Sequence, residues 1–313
     1  MHIRQNFDDI VYLRGIEEVV FLAYEQRQKV GRSIFNVIES TQAREDSTTV
    51  GGIGTFDVKP EGEAINYDDL NAGFRETFTH VNYAKGFRTT EEMMDDELYG
   101  VMEDQATELG NGASASEETI LANHFNNGFA TTGYDGVALF SASHLQENGD
   151  TWSNAPSTHG DLSQTTLEQG LIDFRDQRDG GGKRLQIKPE YLVVPADLIF
   201  TASKLLNSTS NPTPGDGVYN GGTYAANTFG DGATNEIHGL GLSLVPWDYL
   251  TTSTHWFLIA EKANHRLTCY ERKAFNTDYT HDFDTGDYKI KGSFRQSSGW
   301  KDAHGTYGND GVA

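Results

Sequence analysis

The sequence predicts an α+β chain, and three observations carry that prediction. Apolar residues recur three or four apart from Glu91 to Phe129, over a distance unusual for one helix. The segment before it, from Thr48 to Thr90, has β character punctuated by glycine. After it come short strand-like apolar runs, two further helical patterns and a closing hairpin.

The stripe comprises Met94, Leu98, Met102, Ala106, Leu109, Ala113, Ile120, Phe125 and Phe129. That spacing places them on one helical face, while the intervening Asp95, Asp96, Glu97, Glu103, Asp104, Glu108, Glu117 and Glu118 read as a solvated acidic face. Unbroken, roughly 39 residues at about 1.5 Å each would span about 58 Å and imply an elongated subunit. Gly110-Asn111-Gly112 is the weak point, since each mid-helix glycine costs about 1 kcal/mol, and either a continuous helix or a break is compatible with it.

At the N-terminal end, Tyr12, Leu13, Ile16, Val19, Val20, Ala23 and Tyr24 lie at helical spacing within residues 11–31. This predicts an arm-like helix followed by a polar linker, Glu39 to Thr49. Thr48–Lys59 and Phe74–Thr90 then read as two strands joined by a long acidic loop, with Gly51, Gly52, Gly54, Pro60 and Gly62 as punctuation. Neither face of the second strand is cleanly apolar. A two-stranded ribbon without a core is marginal alone, so it is expected to meet a partner surface.

Beyond the long helix, Thr131–Asp161 is turn-rich around Val137–Phe140. Ser163–Arg178 reads as a helix capped by Ser163 and ended by Gly180-Gly181-Gly182. Tyr191–Pro195 is a buried strand by composition, and Ala196–Asn207 a helix packed beside it. The Gly-, Asn- and Thr-rich run Ser208–His238 predicts a long surface loop. Leu242–Val245 and Trp256–Ala260 are further buried strands. The C-terminal hairpin turns at Asp284–Asp287, with Phe275, Tyr279 and Phe283 on one face and Tyr288, Ile290 and Phe294 continuing it.

Composition narrows the function. The chain has 313 residues and a net charge of −22, from 46 acidic against 24 basic side chains, so phosphate backbones and anionic lipid repel it. Sequence-specific nucleic-acid binding is not expected. The N-terminal MHIRQNFDDI lacks a signal-peptide core and no apolar run reaches 18 residues, so a soluble protein made in the cytoplasm, with no membrane association, is expected. The one cysteine, Cys269, sits in a strand-like run and reads as a small buried apolar group.

Motifs for chemistry fail on inspection. Gly180-Gly181-Gly182-Lys183-Arg184 lacks both the earlier glycine and the Ser or Thr of a phosphate loop. Asp282–Asp287 resembles a calcium loop, but glycine falls at the fifth position and Ser293 at the twelfth, where a bidentate Glu is needed. No histidine pair has metal-ligand spacing on a helix, and neither nucleophile elbow nor dinucleotide turn is present. No catalytic residue, metal or cofactor is expected. Two readings from other classes stay open: a carboxylate-based hydrolase, because carboxylates can converge from any spacing, and a calcium-dependent surface or adhesin module.

Several segments in order carry a resemblance: Asp135–His144, Leu162-Ser163 with Thr166–Leu171, Ile187–Pro195 and Leu205–Ser208. Together they resemble the major capsid proteins of tailed bacteriophages, specifically the Mu-like major head subunits of the Hong Kong 97 capsid fold. The likeness is strongest over residues 95–208 and 271–308. It implies an N-terminal arm (1–44), an extended β-ribbon or E-loop (45–90), a peripheral domain with a spine helix (91–134), an α/β axial domain (135–270) and a peripheral C-terminal β-hairpin (271–313). The run Ser208–His238 would be an axial loop.

By the same resemblance the chain would self-assemble through pentamers and hexamers into an icosahedral shell enclosing double-stranded DNA. It would work with a portal, a separate scaffolding protein and decoration proteins, be assembled in the host cytoplasm and reside in the virion. The start at Met1, close to the arm, implies that no scaffolding segment is fused to it. Nothing marks Lys85 as a cross-linking lysine. The ribbon supplies the candidate assembly contacts: Arg75, Lys85 and Arg88 as cations against acidic groups of a neighbour, with Phe78, Tyr83 and Phe87 burying surface beside them.

Overall fold

The computed structural model describes residues 5–65, 67, 72–90, 92–93, 99–147, 149–208 and 235–311. In chain order its elements are α1 (Gln5–Gln26), α2 (Val30–Ile34), β1 (Asn36–Glu39), β2 (Arg44–Val50), β3 (Ala72–Thr79), β4 (Val81–Thr89) and α3 (Tyr99–Asn126). There follow β5 (His144–Leu145), β6 (Thr151–Trp152), α4 (Gln164–Arg175), β7 (Pro189–Val194), α5 (Ile199–Asn207), β8 (Ser243–Pro246), β9 (Trp256–Ala260), β10 (Leu267–His281), β11 (Tyr288–Trp300) and β12 (Thr306–Asn309). The chain divides into two compact units, one of residues 1–45, 77–121 and 268–299, the other of 46–76, 122–267 and 300–313.

The first unit is built on the long helix. Its sheet runs β1-β10-β11-β4, with β1 parallel to β10 and β4 antiparallel to β11. Ile16, Val20 and Tyr24 of α1, Met102, Ala106 and Leu109 of α3, and Phe275, Ile290 and Phe294 of the hairpin make one core. Of the predicted stripe, Met102, Ala106, Leu109 and Phe125 are buried and Ala113, Ile120 and Phe129 partly so, while Met94 and Leu98 lie outside the described residues. Burying each such side chain contributes about 1.5–3 kcal/mol, which outweighs the poor local propensity of a helix interrupted by glycine.

α3 passes through Gly110–Gly112 as one 28-residue helix. The two glycines differ in role. A Cβ on Gly110 would sit 2.3 Å from the Val20 carbonyl oxygen, so the bare backbone is what lets α1 cross α3 closely; a Cβ on Gly112 would meet nothing within 4 Å. Gly292 does the same across the sheet, leaving room for the Phe275 ring 2.7 Å from where its Cβ would be.

Two carboxylates assigned to the solvated face are instead buried. Glu117 accepts a 2.7 Å hydrogen bond from the Tyr24 hydroxyl, and Glu118 accepts the Gly31 N–H at 3.0 and 3.1 Å. Arg32 lies 3.8 Å from Glu117 and pairs with Glu271 on β10. Lys29 stands 3.4 Å above the Tyr24 ring. The end of α1 and the segment after it thus carry the donors that these carboxylates need, a long-range pairing that a helical period does not encode.

The second unit holds a sheet in the order β12-β9-β7-β8, with β7 parallel to β8 and antiparallel to β9. α4 and α5 bury Leu167, Leu171, Phe174, Ala202, Leu205 and Leu206 in a core with Leu192, Val194, Trp256, Leu258 and Tyr307. Ser163 caps α4 through the Thr166 N–H, as its position predicts. Gly180–Gly182 does not end α4, which stops at Arg175; it forms the turn of a short hairpin bridging Arg178 and Arg184, with Gly182 at φ +78°.

Other predicted boundaries shift for identifiable reasons. The polar linker Glu39–Thr49 contains most of β2, because its alternating Arg-Glu-Asp-Ser-Thr-Thr-Val can pair with β3. The strand expected to reach Lys59 stops at Val50. Residues 300–313, assigned to the same domain as the hairpin, return to the second unit, where Thr306–Asn309 pairs with Trp256–Ile259 of β9. Most of the run Ser208–His238 lies outside the described residues; its last part is a 3-10 turn, Glu236–Leu240.

Candidate assembly surface

The predicted ribbon is divided between two sheets. β2 pairs with β3, whereas β4, which follows β3 after His80 alone, pairs along its length with β11. His80 marks the change of sheet: its ring nitrogens lie 3.1 Å from Ser40 Oγ and 3.0 Å from Ser297 Oγ. Burial, helped by Arg295, lowers its pKa, which favours the neutral ring in that position.

This division decides where the six candidate contact residues fall. Phe78 is buried against Tyr270 at 5.4 Å between ring centroids. Tyr83 stacks on Phe294, its cross-strand partner, at 5.1 Å. Phe87 faces Ile290 across the strands and is partly buried on the core. These three aromatic rings pack within their own subunit: Tyr83 and Phe87 because β4 joins the sheet, and Phe78, at the end of β3, because it meets Tyr270 of β10. Arg75 reaches Asp46 at 2.8 Å across the β2-β3 pair. Lys85 and Arg88 remain exposed on β4.

The exposed apolar surface lies elsewhere. Between β2 and β3 the chain carries Val50, Ile53, Phe56, Val58, Ile65 and Tyr67, all exposed, with Phe56 at 101% and Val58 at 93%. Isolated exposed apolar residues are ordinary, but six in eighteen positions form the kind of patch that marks an interaction site. Alternation of these residues with charges was visible in the sequence. It was read as strand, although Gly51, Gly52 and Gly54 already argue for an irregular loop.

The root of this loop is fixed. A Cβ on Gly52 would come 2.9 Å from Asp179 Oδ2, and one on Gly181 would come 2.8 Å from the Ile53 carbonyl oxygen. Asp179 itself accepts the backbone N–H groups of Gly181 and Lys183, holding the turn beneath. Two facing glycine segments therefore let backbone lie on backbone, and the apolar row begins where that support ends.

A second surface flanks β4 in the first unit. A 640 Å³ groove is lined by Tyr83, Lys85, Phe87, Leu109, Ala113 and Phe294, among others. β4 is an edge strand of its sheet.

Clusters suggestive of catalysis are structural in their geometry. Asp135 and His144 lie 2.6 Å apart with both side chains fully buried, and the other ring nitrogen of His144 is 3.0 Å from Asn154 Oδ1. Asn154 Oδ1 also accepts the Ser141 N–H, so this pair is tied into a buried hydrogen-bond network. Trp152 stacks between His144, at 4.8 Å, and His304, at 3.8 Å. Burial would lower the His304 pKa, but its 2.5 Å bond to Asp302 and its contact with the Arg178 carbonyl carry it above the ordinary value. In the hairpin turn, Lys289 lies 2.5 Å from Asp282 and holds that carboxylate below its usual pKa. Among the described residues no group of three or more His, Cys, Asp or Glu could hold a metal, and no helix is long and apolar enough to cross a membrane.

Comparison with known proteins identifies the family. A curated relative, the major capsid protein of Escherichia phage Mu, is 34% identical over 120 residues, 37% of this chain and 33% of its own length. The chain thus spans about a third of that relative. Two capsid structures share the fold: that of the cyanophage P-SCSP1u, with a TM-score of 0.56 at 10% identity over 90% of this chain and 88% of its own, and the bacteriophage JBD30 capsid decorated with minor capsid protein trimers, with a TM-score of 0.53 at 16% identity over 72% and 90%. The phage capsid protein family model matches residues 75–309. That match takes in β4, the long helix, the hairpin and the whole sheet of the second unit, and the chain belongs to the phage capsid protein family, whose members are structural components of the virion and not enzymes.

Proposed function

We propose that this chain is the major capsid subunit of a tailed phage, that it builds an icosahedral shell from pentamers and hexamers of itself, and that the loop between β2 and β3 is the extended loop by which each subunit grips the next. The observation that carries the reading is the row Val50, Ile53, Phe56, Val58, Ile65 and Tyr67, which is held closely at its root and left half to fully exposed in the subunit. Burying a residue such as Phe56 against a neighbour would contribute about 1.5–3 kcal/mol, and six such residues repeated around a capsomer are ample to drive closure.

The receiving face in this reading is the groove between β4 and α3 of a neighbouring copy. Its apolar floor suits the loop, and the free edge of β4 offers backbone groups to an extended segment. Lys85 would meet the carboxylates of an acidic neighbour there. Tyr83 and Phe87 would then act by shaping the groove from inside. The first unit corresponds to the peripheral domain with α3 as its spine, and the second to the axial domain.

A shell with a charge of −22 per subunit would enclose DNA without gripping it. Portal and separate scaffolding proteins complete the proposed assembly, and decoration by a minor protein, as in the JBD30 capsid, is included. Negative-stain microscopy with sedimentation of the expressed chain tests this: capsomers or megadalton shells are expected, and a small oligomer under all assembly conditions would contradict it.

A further inference from the structure

We infer that the turn of the β10-β11 hairpin is a plug for a second copy: Phe283 of one subunit seats in the groove beside the hairpin of the next, with its flanking carboxylates against the cations that line that groove. This rests on the reading of the chain as a self-assembling subunit, and it names a contact separate from the extended loop.

Phe283 is 96% exposed at the end of the hairpin, between Asp282 and Asp284, with Asp287 completing the turn. An aromatic ring left fully in water at the tip of an otherwise polar turn has no use in the fold of its own subunit. The same hairpin carries a 430 Å³ groove whose lining includes Phe87 and Tyr279, the cations Arg88, Lys289 and Lys291 and one carboxylate, Asp278. Its own Phe283 is outside it, as that exposure requires.

Charge points to the occupant. Arg88 and Lys289 are direct cross-strand partners, an arrangement of like charges that is destabilising unless an anion lies nearby. Lys289 is partly relieved by Asp282, and Lys291 by Asp278 at 3.7 Å, but Arg88 makes no ion pair among the described residues. In so acidic a chain three cations together are an exception. The turn supplies the complement: Asp284, next to Phe283, and Asp287, three residues further on, form no ion pair among the described residues. Plug and groove differ, so the contact is head-to-tail and closes a ring only if the rotation permits.

The test substitutes surface residues that leave the subunit core intact. Phe283→Ser should lower particle yield by about tenfold or more at unchanged subunit stability. Arg88→Asp and the double change Asp284→Lys with Asp287→Lys should each lower yield, and combining them in one chain should restore it. Mixing Phe283→Cys subunits with Tyr279→Cys subunits under mild oxidation should give a covalent dimer that neither gives alone, since Cys269 is buried. Wild-type yield from Phe283→Ser, or no cross-linked dimer from the mixture, would overturn the plug while leaving the shell intact. Failure of the wild-type chain to assemble would overturn the shell reading, and the plug with it.

Discussion

The Tyr24 hydroxyl donates a 2.7 Å hydrogen bond to the buried Glu117 carboxylate, joining the end of the first helix to the middle of the long one. Burial first, and the neighbouring Glu117 charge second, push the tyrosine pKa up, so the hydroxyl stays a donor at any ordinary pH. With Glu118 on the Gly31 N–H and Arg32 on Glu271, this bond makes the N-terminal segment an integral layer of the first unit, where the sequence read it as a separate arm.

Glu117→Ala should therefore destabilise the subunit by about 2–4 kcal/mol, because it strips a partner from Tyr24 and from Arg32 in one step. Glu117→Gln, which can still accept from Tyr24, should cost less. Equilibrium unfolding in urea measures both; equal and negligible losses would mean that the carboxylate is not part of the joint.

The two glycines of α3 should respond in opposite directions. Gly110→Ala places a methyl group against the Val20 carbonyl and should destabilise despite a gain in helix propensity, whereas Gly112→Ala meets open space and should stabilise by up to about 1 kcal/mol. Thermal unfolding of the two variants decides the sign. A stabilising Gly110→Ala would show that the helices do not cross so closely.

Cys269 is fully buried, and burial pushes its thiol up to about 12, so it should resist alkylation in the folded protein at neutral pH. Cys269→Ser should cost about 1–2 kcal/mol, for a hydroxyl in an apolar strand, and leave assembly unchanged. Rapid native-state labelling, followed by mass spectrometry, would contradict this placement.

The pair of His304 and Asp302 sets a pH dependence. The folded pKa of His304 is raised above 6.5, so its contribution is complete below that value and is lost as pH rises through the folded one; that of Asp302 is held below 3.8, so its contribution is present above 3.8 and lost as pH falls through its folded value. His304→Gln should consequently cost more stability at about pH 6 than at about pH 9. The difference in unfolding midpoint between variant and parent, followed across that range, should shrink with rising pH.

The sequence disclosed the parts with a strong period and concealed those that depend on distant partners. The α3 stripe, the Ser163 cap, β7, β9 and the hairpin all follow from local pattern, and Met102, Ala106 and Leu109 are buried as their spacing demands. Glu117 and Glu118 were misplaced because their donors are 93 and 87 residues away. β3 and β4 read as one strand since only the pairing of Tyr83 with Phe294 reveals that the second half belongs to another sheet. For the same reason the packing of Phe78, Tyr83 and Phe87 within the subunit is not legible in a ribbon that shows no apolar face of its own, while Phe56 and Val58, in a segment whose local pattern reads as strand, are exposed.

That difference locates the decisive measurement. Phe56→Asp combined with Val58→Asp alters two side chains that touch nothing within the subunit, so the fold should survive and only association between copies should suffer. Sedimentation velocity of this variant beside the parent chain, with circular dichroism as a check on folding, tests whether the loop binds neighbouring copies into a shell. The account predicts megadalton particles from the parent and folded subunits or isolated capsomers from the variant; particles of parental size and yield from the variant would contradict it.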